Sequence, residues 1–174
     1  MSIKDEINER IKNPPSNLNT LKGFEIIAES IVEKVRDLFG RNSLLTMLYQ
    51  VGAGPGKVIS DYLKIKHGKD DFDLLEALEV MALELREYYS VYIKDISEDD
   101  EKIRILLENH CFLRKSFKER EKLQFGKAFC RINKGYYEVA LKNLIGSKIR
   151  KVEINFIEND EEKDSCLEEI LFYK

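Results

Sequence analysis

The sequence has no run approaching the ~18 apolar residues of a membrane-spanning helix. Its opening segment, MSIKDEINERIKNPPS, is polar and charged and lacks the apolar stretch of a secretory signal. A cytoplasmic protein with no membrane span is therefore expected. Cysteine is scarce: Cys111, Cys130 and Cys166 are odd in number, far apart and without a CxxC pair, which excludes a secreted disulfide scaffold. Histidine is scarcer, with only His67 and His110, and no serine stands in a nucleophile-elbow context, so a hydrolase triad finds no support. Charge of one sign is missing too. The 29 basic and 32 acidic residues leave a net charge of −3, which argues against a protein that coats nucleic acid.

What is present suits a soluble domain. Of 174 residues, 43% are hydrophobic, enough for a core without staples. Pro14-Pro15 and the polar cluster Ser16–Thr20 set residues 1–20 apart as an appendage, leaving 21–174 as one domain. Ile26, Ile27, Ile31, Val35 and Leu38 recur at helical spacing up to Gly40. Ser43 then stands where a cap would open a second helix carrying Leu44, Leu45, Leu48, Val51, Val58, Ile59, Tyr62 and Leu63, ending at Lys66-His67-Gly68. Asp70 or Asp71 is the expected cap of a third, with Leu74, Leu75, Leu78, Met81 and Leu85 inward. Alternation follows in Tyr89, Val91 and Ile93, and again in Ile103, Ile105 and Leu107 across the acidic turn Ser97–Glu101. Arg114–Lys122 reads as a charged loop or helix start. Helical spacing returns from Phe129 through Ile132, Tyr136, Val139, Ala140 and Leu144 to Gly146. Val152, Ile154 and Phe156, a polar turn at Glu158–Asp164 and Cys166 to Phe172 make a second hairpin. The expected fold is α+β: N-terminal helices, then hairpin, helix and hairpin, forming a four-stranded antiparallel sheet backed by helices.

The segment VGAGPGKVIS (51–60) imitates a phosphate-binding loop but fails its spacing, since Val51 stands where the first glycine belongs and Val58 follows Lys57. Gly52 and Gly56 instead share a helical face that permits close backbone approach, and Pro55 is expected to kink that helix. The acidic turns lack the alternating ligands of an EF-hand. Cys111, Cys130 and Cys166 fall at three element ends that a sheet edge can bring together, and with His110 they form a candidate tetrahedral zinc set. The competing expectation is three separately buried apolar thiols. The apolar residues of the first two helices exceed one stripe, which points to a homodimer through a two-fold contact.

The runs NHCFLRKSF (109–117), AFCRINKGYYEVALKNLIGSKIRKVEINFIE (128–158) and SCLEEILF (165–172), with the glycine-spaced MLYQVGAGPGKVIS, resemble the 4-vinyl reductase domain of archaeal and bacterial hydrocarbon-binding proteins. The resemblance extends over roughly residues 24–173. It implies a fold shared with the small subunits of the transport-particle tethering complex, a dimer, and an apolar pocket for a hydrophobic small molecule. Pocket candidates are Phe129, Tyr136 and Tyr137 on the fourth helix, facing Tyr89 and Leu48. The resemblance further implies a zinc site of cysteines and a glutamate, to which Cys130 and Cys166 correspond. The remaining cysteine position falls near Ile154 and the acidic one near Lys151, so that set is not intact, and the balance lies against zinc. The implied function is a non-enzymatic small-molecule-binding or sensory domain. The alternative is a ligand-free interaction scaffold of the same fold. No nicotinamide or flavin fingerprint supports an enzyme.

Overall fold

The computed structural model describes residues 3–12, 20–112, 114, 129–160 and 162–174. Helix α1 spans Ile3–Lys12. Pro14-Pro15 and most of the polar cluster after it lie outside the described residues, as does most of Arg114–Lys122. Helix α2 runs Thr20–His67 and breaks at one residue, Gly40, whose φ of 78° only glycine adopts readily. The stop expected at Gly40 is thus real, but helix resumes directly. Ser43 is internal to it rather than its cap. Pro55 sits inside the second limb, and Gly40 is the sole residue of α2 with non-helical angles, so the helix is not broken at Pro55. Lys64, Lys66 and His67 occupy the last turn, where cations complement the helix dipole.

Helix α3 is Leu74–Leu85, and its cap position is Asp73, not Asp70 or Asp71. The reason lies in the tertiary structure. Phe72 is fully buried and its N–H donates to the Leu144 carbonyl at 2.9 Å, which holds the chain extended until Asp73. Asp73 gives its carboxylate to Lys148 at 2.7 Å rather than to the helix. Leu78, Met81 and Leu85 are buried as expected, whereas Leu75 is 55% exposed.

Strands β1 (Tyr89–Glu98) and β2 (Lys102–Cys111) form the first hairpin. Its turn is built by Asp99, whose carboxylate accepts the N–H groups of Glu101 and Lys102, each at 2.9 Å. Helix α4 (Cys130–Ile145) and a short 3-10 turn at Gly146–Lys148 lead to β3 (Lys151–Asp160) and β4 (Ser165–Tyr173). The sheet is antiparallel with order β1-β2-β4-β3. Each edge strand carries a register irregularity, between Ile93 and Asp95 in β1 and between Phe156 and Glu158 in β3. Such bulges blunt an exposed edge. The fold class is α+β, four helices with a four-stranded antiparallel sheet among the described residues.

Ile105, Leu107, Val152, Ile154, Ile170 and Phe172 bury the inner face of the sheet against Leu141, Leu144 and Ile145 of α4, with Leu63, Phe72 and Met81 completing the core. Helix α4 also crosses α2 at backbone distance. A Cβ added at Gly52 would strike the Ile132 carbonyl, one at Gly56 the Tyr136 carbonyl, and one at Gly135 the Tyr49 carbonyl. The glycine-rich segment is therefore a packing surface. Its Lys57 pairs with Asp61 one turn on, at 2.7 Å. Glu138 fastens the crossing: it accepts the Tyr49 hydroxyl at 2.9 Å, the Ile154 N–H at 2.7 Å and the Lys134 ammonium at 3.0 Å.

Gly52→Ala and Gly135→Ala are each expected to lower the unfolding free energy by about 2 kcal/mol or more, because backbone rather than a movable side chain blocks the added methyl. Gly54 meets nothing within 4 Å. Gly54→Ala should raise stability by ~0.5–1 kcal/mol through helix propensity. Urea titrations of the three variants check the contrast.

Candidate ligand pocket

Beside the glycine crossing the helices border an open cavity of about 590 Å³, within the ~300–1,000 Å³ usual for small-molecule sites. The break at Gly40 makes it. With the chain redirected there, Val32 of the first limb shares a buried cluster with Leu44 and Leu48 of the second limb and with Phe129. The first limb contributes Phe24, Glu25, Ala28, Ile31 and Val32, and the second Leu48, Val51 and Pro55. Leu85, Tyr88 and Tyr89 come from the α3–β1 junction, Phe112 from the end of β2, and Phe129, Ile132, Asn133, Tyr136 and Tyr137 from α4. The rings touch one another. Tyr89 and Tyr137 lie 4.7 Å apart, Tyr136 and Tyr137 5.8 Å, and Tyr88 and Phe112 6.3 Å. Tilted and edge-on aromatic pairs of this kind hold a wall rigid.

Leu48, Tyr89, Phe129, Tyr136 and Tyr137, the five residues singled out from the sequence, all stand on this one wall. The sequence reasoning did not name the first limb among the pocket residues, and it missed Tyr88, Phe112 and Asn133. One signal was available. Glu25 precedes Ala28 and Val32 by one and two helical turns, so an acidic residue stands in the apolar stripe.

A polar cluster lies behind the aromatic wall. The Tyr89 hydroxyl donates to Glu168 at 2.5 Å. Burial pushes the Glu168 carboxyl up from 4.5 to about 7, against the hydrogen bond from Tyr89 and the neighbouring Asn109, which favour its charged form. The Asn109 amide makes no well-formed hydrogen bond, and the buried Tyr137 hydroxyl has no partner among the described residues. Burial also raises the Tyr89 and Tyr137 phenols well above 10, reinforced by Glu168 in the first case and by Tyr136 in the second. Asn133 donates to the Cys111 sulfur at 3.0 Å, so that thiol belongs to the pocket side of the sheet.

The other candidate metal ligands are arranged differently. Burial raises the Cys166 thiol to about 12, opposed by the Arg114 guanidinium, which donates to its sulfur at 3.2 Å. Arg114 also binds the Asp164 carboxylate at 2.9 Å and the Asp160 carbonyl at 2.7 Å. Cys130 lies close enough to Cys166 to influence its ionisation. His110 is exposed, with Nδ1 3.1 Å from the Asp164 carbonyl. Among the described residues no three His, Cys, Asp or Glu side chains gather as a metal set, which makes zinc less favoured at Cys111, Cys130, Cys166 and His110. Arg114 already supplies positive charge at the most buried thiol.

No family model matches the chain, and no curated protein does. Solved structures do. One is trafficking protein particle complex subunit 3 from Naegleria fowleri, covalently bound to palmitic acid, with TM-score 0.58 and 15% identity over 88% of this chain and 94% of that one. Another is the phenol-responsive sensory domain of the transcription activator PoxR with phenol, with TM-score 0.56 and 10% identity over 91% of this chain and 76% of that one. At these identities the likeness is one of fold. No helix among the described residues is long and apolar enough to cross a membrane.

Glu168 gives a pH dependence of known sign. Its folded pKa lies above its unfolded one, so between about pH 4.5 and 7 the folded state holds a proton that the unfolded state has released. Stability therefore falls as pH rises through that window, by on the order of 3 kcal/mol if this group acts alone. Glu168→Gln keeps an acceptor for the Tyr89 hydroxyl and removes the titration. Its melting temperature should exceed that of the wild type by more at pH 8 than at pH 4.5, as scanning calorimetry at both values would register.

Proposed function

We propose that the protein is a non-enzymatic, cytoplasmic binding domain of the 4-vinyl reductase type, which holds a hydrophobic small molecule in the aromatic-lined cavity and acts as a sensor of it. The cavity itself carries the reading. A domain with a core as well packed as that between α4 and the sheet gains nothing in stability from about 590 Å³ of unfilled apolar space beside it, because each unfilled site forfeits dispersion contacts. The structural neighbours support the same class, since one is a sensory domain with phenol and the other carries palmitic acid. In the cluster behind the wall, the Tyr89 hydroxyl is committed to Glu168.

Native mass spectrometry of freshly purified protein, before and after organic extraction, tests this. A copurifying small molecule, or saturable binding of an apolar fluorescent probe, is expected. Ala28→Trp, which places a large ring in the cavity, should abolish that binding and leave the circular dichroism unchanged. Protein that binds no apolar probe at all would remove the basis of the reading.

A second reading rests on the outer face of α2. Val58, Tyr62 and Ile65 form a stripe at helical spacing, with Val58 69% and Ile65 82% exposed. An apolar stripe of this length marks a partner surface, in keeping with a neighbour that is a subunit of a trafficking complex. The same surface suits a homodimer. Sedimentation at micromolar concentration should then give twice the 20.4 kDa chain mass, and Val58→Glu with Ile65→Glu should return the species to the mass of one chain.

A further inference from the structure

The buried carboxyls of this protein are treated unequally. Glu138 has three partners, from Tyr49, Ile154 and Lys134. Glu168 has the Tyr89 hydroxyl. Glu25 is equally buried, at 9% exposure, yet has no hydrogen bond or ion pair with any described residue. It lies on the cavity wall, on the face of α2 that one and two turns later buries Ala28 and Val32. Glu25 therefore brings a carboxyl-bearing side chain to an otherwise apolar wall with no partner among the described residues.

The rest of the wall shares one electrical character. No lysine, arginine or histidine is among the described lining residues, and the polar side chains other than Glu25 are tyrosines and Asn133. Aromatic faces carry the negative lobe of the ring quadrupole, so they attract cations and not anions. An acidic side chain on the same wall as several such rings provides both a counter-charge and a cage for a positively charged group with an apolar body.

From this juxtaposition we infer that the cavity selects an apolar amine in its ammonium form, with Glu25 as counter-ion and the rings of Tyr88, Phe129, Tyr136 and Tyr137 around the apolar body. The inference rests on the cavity being a ligand site, and it adds the chemical class of that ligand. Organic carboxylates and phosphates are disfavoured at the same site, since they would meet the Glu25 carboxylate and find no cation among the described lining residues.

A shape-matched series separates charge from apolar burial. Isothermal titration of the full chain with 4-phenylbutylamine, 4-phenylbutanol and 4-phenylbutanoate at pH 7.5 should rank them in that order, the amine about tenfold or more above the alcohol. Glu25→Gln keeps the side-chain shape and removes the charge. It should bring the amine down to the alcohol's affinity, with circular dichroism confirming that the variant is folded. If the alcohol binds as well as the amine to the wild type, or if Glu25→Gln retains the amine preference, the assignment of ligand class is overturned while the binding cavity stands. If no member of the series binds, the cavity is not a ligand site and the inference falls with it.

Discussion

The closest constraint in the molecule is the backbone contact between α2 and α4. Gly52 and Gly56 on one helix and Gly135 on the other are each pressed against a carbonyl of the opposite helix, so a single methyl on any of them would force the axes apart. This approach sets the rest. It seats α4 between α2 and the sheet, brings Glu138 within reach of Tyr49 and the Ile154 amide, and delivers the apolar face of α4 to β2, β4 and β3. The cost of placing glycine inside helices, about 1 kcal/mol for each, is offset by the packing that a side chain would have blocked.

The cavity is a consequence of the same geometry combined with the break at Gly40. One limb of α2 is held by α4, and the other is free to bring Val32 onto Leu44, Leu48 and Phe129. The space left over is bounded by large flat side chains that pack well against each other and poorly into corners, a shape that suits a ligand better than a core. The polar cluster behind the wall, with Glu168 held near neutrality by burial and Tyr89 bonded to it, stiffens the deepest rings. The energetic compromise there is visible in Asn109 and Tyr137, whose polar atoms are buried and imperfectly matched.

The fold places the chain beside proteins with different occupations, a sensory domain and a trafficking subunit. The fold alone does not choose between them, because function resides in sites carried on folds. In this chain the distinguishing features are local: Glu25 without a partner and a ring-lined wall without a cation among the described residues, and Arg114 set against Cys166.

Local pattern was enough for much of this. The alternation of Ile103, Ile105 and Leu107, the helical spacing from Ile132 to Leu144 and the close-packing role of Gly52 and Gly56 were all legible, because period and side-chain size act between near neighbours. The aromatic residues of the fourth helix were legible as a group for the same reason, with the family resemblance supplying the pocket they should line. Only the tertiary structure decided the rest. Phe72 bonded to Leu144 moved the start of α3 to Asp73. Packing of the α2 limbs placed Ile31, Leu48 and Val51 on a cavity wall. Whether Cys111, Cys130 and Cys166 meet depends on where Asn133 and Arg114 point, and whether Glu25 has a partner depends on which residues of distant elements surround it. Burial and pairing are properties of three-dimensional neighbourhoods, and a one-dimensional spacing carries no record of them.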